Sequence, residues 1–393
     1  MKIARFLVVS FLLIIVLTVS PALAKDTIKV GAILAVTGPA SFLGAPEEKT
    51  LVMMVADINK NGGIKGKKIE LIVKDSGASP EKALSFAKQL IEEDKVLAII
   101  GPSTSGETMK IKNVAEEGKT ILLSCAAAET IVNPVAKYVF KTPQKDSYAV
   151  IKIFEQMKKM KLSKAGVLSS NTGFGKAGKE QIEKMAAEHG IRIVANEVYD
   201  KAATDLTAEV TKVKASGAEA IINWSIEPAQ SIVIKNARQI GFNGQIFQSH
   251  GFGNIKYVEA ALPAAEGVIF PAGRLLIAET LPNDNKQKAV LLKYKKEYEL
   301  KNRGEECSTF GGHAYDAMLI LTKAIEKANS TDKEAVRSAI EGLKGVVGTA
   351  GIFNFSPADH NGLDMSSFEM LTVKNGKFVL LKDESKKETG KKK

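Results

Sequence analysis

The chain is poor in the residues that most often carry covalent or metal chemistry. Its 393 residues include 2 cysteines, 4 histidines and 1 tryptophan. Cys125 and Cys307 lie far apart, and spacing alone cannot show that two thiols meet, so both read as buried free cysteines. His189, His250, His313 and His360 are scattered outside any HExxH or CxxC arrangement, and no metal site is expected. No G-x-S-x-G elbow occurs, and neither His250 nor His313 has a serine or cysteine beside it in a nucleophile pattern. The paired acids Glu47-Glu48, Glu116-Glu117 and Glu305-Glu306 are adjacent in sequence and cannot face each other on a helix, so they read as solvated surface. An enzyme is not expected.

What is present is the composition of a globular protein. Hydrophobic residues make up 45% and charged residues 25%, which excludes a solvated tail or a collagen-like chain. The length exceeds what one core usually serves and points to two domains. Lys2 and Arg5, an apolar run from Phe6 to Val19, and the small residues Ala22 and Ala24 form a secretory leader over residues 1–24, with cleavage before Lys25. No cysteine follows Ala24 to carry a lipid. The protein is expected outside the cytoplasmic membrane, in the periplasm.

The net charge of +11 could suggest a nucleic-acid or membrane partner. Two of those charges belong to the leader, and the segment 382–393, expected to be a disordered basic tail, carries six lysines against three acids. Body lysines alternate with acids, as in Glu92-Glu93-Asp94-Lys95, and no basic cluster is interleaved with aromatics. Nucleic acid is not an expected partner.

Periodicity gives an alternation of strands and helices. Strands are expected at Thr27 to Val36, Lys68 to Val73, Val96 to Ile100 and Thr120 to Ser124. Helices are expected from Glu48 to Asn59, from Ser79-Pro80-Glu81 onward, and from about Thr108 to Glu117. The pattern restarts with strands at Ala165 to Ser169, Ile191 to Val198, Ala220 to Trp224 and Gly244 to Gln248, separated by helices at Lys176 to His189, Leu206 to Ala215 and from Glu227-Pro228. Long helices follow at Gln287 to Leu300 and Gly312 to Lys327, then one opened by a capping box at Thr331 to Glu334. A strand at Phe353 to Phe355 and a hairpin turned at Asn375-Gly376 close the chain. The fold class is α/β, with two doubly wound units on parallel sheets.

Two glycine motifs suggest nucleotides. Gly101 to Thr108 has phosphate-loop spacing, but Glu107 stands where the lysine must be, and a carboxylate there opposes phosphate. Gly173-Phe174-Gly175-Lys176-Ala177-Gly178 matches G-x-G-x-x-G between a strand and a helix, with Asp200 downstream. An exported NAD-linked or hydrolytic enzyme rests on that motif alone, and no catalytic constellation accompanies it. No cofactor is expected. The stronger signal is a small-anion site: Ser103-Thr104-Ser105-Gly106 leads from a buried strand into a helix start, and Ser124 to Ala128 ends the next strand. Two such turns on one sheet edge, facing a second α/β unit, describe a ligand cleft.

Val36-Thr37-Gly38-Pro39-Ala40 with Gly44, Asp57-Ile58-Asn59 with Gly62-Gly63-Ile64-Lys65-Gly66, Ile100-Gly101-Pro102 with Ser105 and Thr108, and Phe174-Gly175 together resemble the type I periplasmic binding proteins. The chain is most similar to their leucine/isoleucine/valine-binding branch, which serves ABC importers. The resemblance implies two lobes joined by three crossovers, here near Lys141 to Lys145, Phe270 to Gly273 and Val347 to Ile352. The lobes would then be 25–144 with 272–348, and 145–271 with 349–381. It implies that Ser105 holds a ligand carboxylate, that Ala126 and Ala128 form a second anchoring turn, and that Phe174 and Ile226 cover the ligand from the second lobe. Phe42, Leu43 and Gly251 complete the implied contacts. The sequence departs from the family at Ala128, where amino-acid binders commonly carry Thr or Ser to receive the ligand's ammonium, and near Gly251, where they often carry an acid that pairs with it; this chain has neither. The family's first-lobe disulfide is missing, since Thr104 and Gly77 or Ala78 occupy its place. The expectation is a monomeric receptor for a branched-chain or other apolar amino acid, working with a membrane permease and ATPase. An aromatic or other organic acid without the amine is the alternative ligand.

Overall fold

The computed structural model describes residues 27–382, so the expected leader and all of the lysine-rich tail but Lys382 lie outside the described residues. The first sheet is built from β1 (Ile28–Leu34), α1 (Ser41–Lys60), β2 (Ile69–Asp75), α2 (Pro80–Lys88), β3 (Ala98–Ile100), α3 (Ser105–Glu117), β4 (Ile121–Ser124) and β5 (Val139–Lys141). Its strands are all parallel, in the order β2-β1-β3-β4-β5. Every residue of β3 and β4 is buried, as expected of a parallel sheet covered on both faces. Asn59, at the end of α1, accepts from Ile69 N at 2.7 Å and donates to Ile69 O at 2.8 Å, which fixes the entry into β2.

The second unit runs through α4 (Asp146–Lys159), β6 (Lys164–Ser170), α5 (Gly173–Ala186), β7 (Arg192–Tyr199), α6 (Thr207–Ala215), β8 (Ala220–Trp224), α7 (Ala229–Gln239), β9 (Gln245–Gln248), α8 (Ile255–Ala261) and β10 (Ile269–Ala272). The chain then returns as α9 (Lys288–Lys301), α10 (Thr309–Ala328) and α11 (Lys333–Glu341), with α10 packed on α1. A short antiparallel pair, β11 (Val346–Val347) and β12 (Ile352–Phe353), precedes the hairpin β13 (Glu369–Lys374) and β14 (Lys377–Leu380). The hairpin turn has positive φ at both Asn375 and Gly376, as a type I′ turn requires, and it joins the second sheet, ordered β14-β13-β10-β9-β8-β6-β7.

Several elements differ from the sequence expectation. α1 begins about two turns earlier than periodicity indicated, at Ser41, and α3 and α5 about one turn earlier, at Ser105 and Gly173. β5 and α4 fall in a stretch read only as a crossover; α4 has no side-chain cap at its start to announce it. The cap of α11 is Asp332, whose carboxylate accepts from Ala335 N at 2.9 Å, one residue later than Thr331. The expected third crossing at Val347 to Ile352 is a tight strand reversal. Phe353, Phe355 and Leu363 remain in the apolar cluster of the first lobe, where Phe355 packs on Phe140, and the chain joins the second sheet only at β13. The first crossing and this reversal are tied together, since Gln144 Nε2 donates to Ala350 O at 2.8 Å.

Two packing features set up the cleft. The first is Glu47, expected on the surface but fully buried inside α1. Ser103 donates its hydroxyl to Glu47 and accepts from Ala35 N at 3.0 Å, so this carboxyl braces the loops after β1 and β3. The second is the seating of α5 on β8: a Cβ at Gly175 would lie 2.0 Å from Ser170 O, and one at Gly178 would lie 2.0 Å from Trp224 Nε1. The indole of Trp224 is fully buried and has no room to yield.

Burial holds the Glu47 carboxyl well above its ordinary pKa of 4.5, against the opposing hydrogen bond from Ser103. The folded chain therefore keeps a proton that the unfolded chain releases, and the stability this group contributes in acid is lost as pH rises above about 4.5. Glu47→Gln removes that loss, so its melting temperature relative to wild type should climb between about pH 4.5 and pH 8; a difference that stays constant with pH would contradict it. Gly178→Ala should lower the urea-measured unfolding free energy by about 1–3 kcal/mol, the usual cost of overpacking, although alanine is the better helix former.

Candidate functional site

Each sheet has one place where its strand order reverses, and in open α/β sheets ligands bind at that crevice. In the first sheet it lies between β1 and β3, in the second between β6 and β8. The loops that follow these four strands face one another. They enclose a cavity of about 260 Å³ whose wall includes Ala40, Ser105 and Gly106 from one lobe and Phe174, Ile226 and Glu227 from the other.

The first wall is organised by a reciprocal cap. Thr104 Oγ1 accepts from Glu107 N at 3.4 Å and donates to Glu107 Oε2 at 2.6 Å, a capping box in which Glu107 takes the third helical position. That role accounts for the carboxylate in the phosphate-loop-like motif. It also releases Ser105 from capping, and the Ser105 hydroxyl instead accepts from Ala128 N at 3.2 Å. Thr108 and Ser124 share a 2.8 Å hydroxyl contact, and Ser124 Oγ accepts from Ala126 N at 3.1 Å. The two anchoring turns are thereby stitched together. Behind them, the buried ammonium of Lys141 donates to Ala127 O at 2.7 Å, Gln144 O at 2.9 Å and Pro143 O at 3.0 Å. Burial lowers the pKa of Lys141 and raises that of Asp146, and the charge of each partly restores the other.

The second wall uses Thr172 as the cap of α5, its hydroxyl accepting from Gly175 N at 3.2 Å. This leaves Gly173 free to approach the opposite lobe: a Cβ there would lie 2.8 Å from Gly106 N. The amino-terminal ends of α3 and α5 thus meet backbone to backbone. Pro80, the first residue of α2, and Ala40, directly before α1, also reach the cavity, and Glu227 lies just before α7. Five helix starts converge on one space, each carrying a partial positive charge of about half a unit.

Of the eight expected contact residues, the structure brings Ser105, Phe174 and Ile226 into the cavity wall. Ala126 and Ala128 are buried behind Ser105. Phe42 and Leu43 lie in the first turn of α1 at the seam between the lobes. The Phe42 ring is 5.3 Å from that of Tyr257, its carbonyl accepts from Asn254 Nδ2 at 3.0 Å, and Leu43 joins an apolar cluster shared with the second lobe. Gly251 packs beneath Ile226, where a Cβ would lie 2.6 Å from Ile226 Cγ2. Two charged residues of the wall escaped the sequence reading, Glu227 and Lys201. The turn signal Glu227-Pro228 was visible, but only the strand order shows that this turn opens into the cleft.

The histidines have packing roles. His250 sits among Phe174, Trp224 and Phe368 with ring centroids 5.4–5.6 Å away, and burial holds its pKa well below the ordinary value. Burial likewise pushes His313 down to about 3. His360 stacks on Phe140 at 4.1 Å. Among the described residues no group of three His, Cys, Asp or Glu side chains could hold a metal ion, and no helix is long and apolar enough to cross a membrane. Cys125 and Cys307 are free and buried. The glycines of the dinucleotide-like motif are each explained by close packing, Gly173 on Gly106, Gly175 on Ser170 and Gly178 on Trp224.

Residues 27–377 match the family model described as periplasmic binding protein. The leucine-, isoleucine-, valine-, threonine- and alanine-binding protein of Pseudomonas aeruginosa is 26% identical over 326 residues, 82% of this chain and 84% of that protein. The Leu/Ile/Val-binding protein BraC3 of Rhizobium johnstonii is 26% identical over 91% of this chain and 94% of its own. An extracellular ligand-binding receptor from Rhodopseudomonas palustris superposes with a TM-score of 0.85 at 30% identity, covering 91% of this chain and all of that one. The branched-chain amino acid transporter substrate binding protein LivJ of Streptococcus pneumoniae, solved with isoleucine, gives 0.77 at 26% identity over 90% and 98% of the two chains. None of these relatives is an enzyme by name. With a matched family model spanning both lobes, the chain belongs to the type I periplasmic binding proteins, in the branch of the Leu/Ile/Val-binding proteins.

Proposed function

We propose that this protein is the extracytoplasmic receptor of an ABC importer, exported by its leader, which captures a small carboxylate between its lobes and presents it to a permease driven by an ATPase. The observation that carries this is the convergence of helix starts on Ser105 at the strand-order reversal of both sheets. Backbone N–H groups of α3 and the Ser105 hydroxyl form an anion site that needs no arginine. The apolar sides of Phe174 and Ile226 suit a branched-chain or other apolar amino acid, in keeping with the names of the relatives. The amine-free organic acid draws support from Ala128 and Gly251, neither of which offers a polar side chain to an ammonium.

Capture is by hinged closure. The contact of Gly173 with Gly106 is possible only because Gly173 has no side chain, so the lobes seat closely on one another there and exclude water from the anion. Tyr294 of α9 and Tyr257 of α8 belong to a single apolar cluster that spans the seam, which favours the closed arrangement.

Titration calorimetry with leucine, isoleucine, valine, 4-methylpentanoate and benzoate should identify a carboxylate ligand. Ser105→Ala should then weaken its binding by about 1.5–3 kcal/mol, the range for a hydrogen bond to a charged group. Unchanged affinity would refute the carboxylate role. Gly173→Ala should also weaken binding, while leaving the urea midpoint near that of wild type, because the new methyl meets Gly106 only when the lobes close. Small-angle scattering at saturating ligand should show a larger radius of gyration than wild type; identical profiles and affinities would argue against closure through this contact.

A further inference from the structure

We propose that Glu227 receives the ammonium group of the ligand, so that the cleft selects amino acids over the corresponding amine-free acids; this rests on the carboxylate reading above. The positions where an amine partner was expected, Ala128 and the neighbourhood of Gly251, lack a side chain that could serve. The acid comes instead from a different strand end, the turn between β8 and α7. Glu227 is 4% exposed and shares the cavity wall with Ser105, Gly106, Phe174 and Ile226.

Its carboxylate is held in place at one oxygen. Oε2 accepts from Ser225 Oγ at 2.6 Å and from Ile226 N at 3.2 Å, while among the described residues no hydrogen bond reaches Oε1. A helix-capping role does not explain it, because the start of α7 has no side-chain cap and the carboxylate turns back toward Ser225. Among the described residues no cation pairs with Glu227, not even Lys201, which lines the same cavity. Buried carboxylates are otherwise paired or fully hydrogen-bonded. One on a cavity wall with an open oxygen and no cation is complementary to a cationic group in that cavity. Opposite it lie the N–H groups at the start of α3, so the two walls offer one acceptor for an ammonium and one donor set for a carboxylate. A zwitterion matches both, whereas an amine-free acid would leave Glu227 desolvated without a partner.

The test uses two matched pairs of probes, L-leucine with 4-methylpentanoate and L-phenylalanine with 3-phenylpropanoate, titrated against wild type, Glu227→Gln and Ser105→Ala. Glutamine keeps an oxygen that can accept from Ser225 and Ile226, and an unchanged melting temperature confirms that the variant folds. The expected result is that wild type prefers one of the amino acids, that Glu227→Gln loses at least tenfold in affinity for it, and that the matching amine-free acid binds Glu227→Gln as well as or better than wild type. Equal losses for both members of a pair, no loss for either, or a wild type that prefers the acid would overturn the assignment. If Ser105→Ala weakens binding while Glu227→Gln does not, only the role of Glu227 falls. If Ser105→Ala has no effect, or wild type binds none of the four probes, the carboxylate reading fails and this inference with it.

Discussion

Everything about the cleft follows from helix starts facing each other across it. α3 and α5 approach end to end, Gly106 against Gly173, and both present the positive end of their dipoles. Like-signed ends in contact repel, and the repulsion grows as closure removes water from between them. An anion placed among these ends reverses the sign of the interaction. In the proposed function, closure and anion binding are therefore one event seen from two sides: the ligand would relieve the electrostatic cost of bringing the lobes together, and the closed lobes would desolvate it enough for N–H dipoles to hold it without a cationic side chain.

The buried lysine of the hinge makes the same point by contrast. Lys141 lies just behind the second anchoring turn, but its three donors are spent on Ala127, Pro143 and Gln144 carbonyls, and Asp146 balances its charge. It acts as a clamp between the anchoring turn and the first crossing, and its charge is not presented to the cleft. The Asp146 carboxylate accepts from Glu129 N at 3.2 Å, so Lys141 and Asp146 both hold the segment that follows β4. A turn fixed in this way keeps the Ala128 N–H aimed at Ser105, where a mobile loop would lose the alignment on which a dipole-based anion site depends.

Periodicity in the sequence was enough to find most strands of both sheets, because parallel strands buried on both faces read as continuous apolar runs, but β5 and β10 were read as crossings between the lobes. The functional ends of the helices were the least legible part. α1 begins two turns earlier than expected and α3 and α5 one turn earlier, and the missing turns hold Gly44, Gly106 and the pair Gly173 and Gly175. Glycine weakens helix propensity, so such turns look like loops, yet a Cβ at Gly44 would lie 2.2 Å from the Ala35 backbone. Close approach at the cleft demands the very residues that hide the helix. Glu47 was misjudged for a related reason: adjacency to Glu48 says that the two carboxylates diverge, not which of them faces inward. Resemblance to the family supplied Ser105, Phe174 and Ile226, which line the cavity. Carried over by position, the amine half had no residue in this chain, and Glu227 could be found only from the strand order that brings the β8 turn beside the β6 turn.

The same consideration separates a motif from its usual chemistry. G-x-G-x-x-G after a strand binds pyrophosphate when the glycines let a nucleotide approach the helix start. Here the first glycine admits the opposite lobe in the position a phosphate would take, the second clears Ser170, and the third seats α5 on Trp224. The physical content of the motif, a helix start stripped of side chains, is retained, but the object brought close to it is another helix start. An anion shared between two such ends must be small, since Gly106 and Gly173 leave no gap between them at the contact, and the cavity beside them holds about 260 Å³. A dinucleotide does not fit that geometry, whereas the compact carboxylate of the proposed function is of the size that it admits.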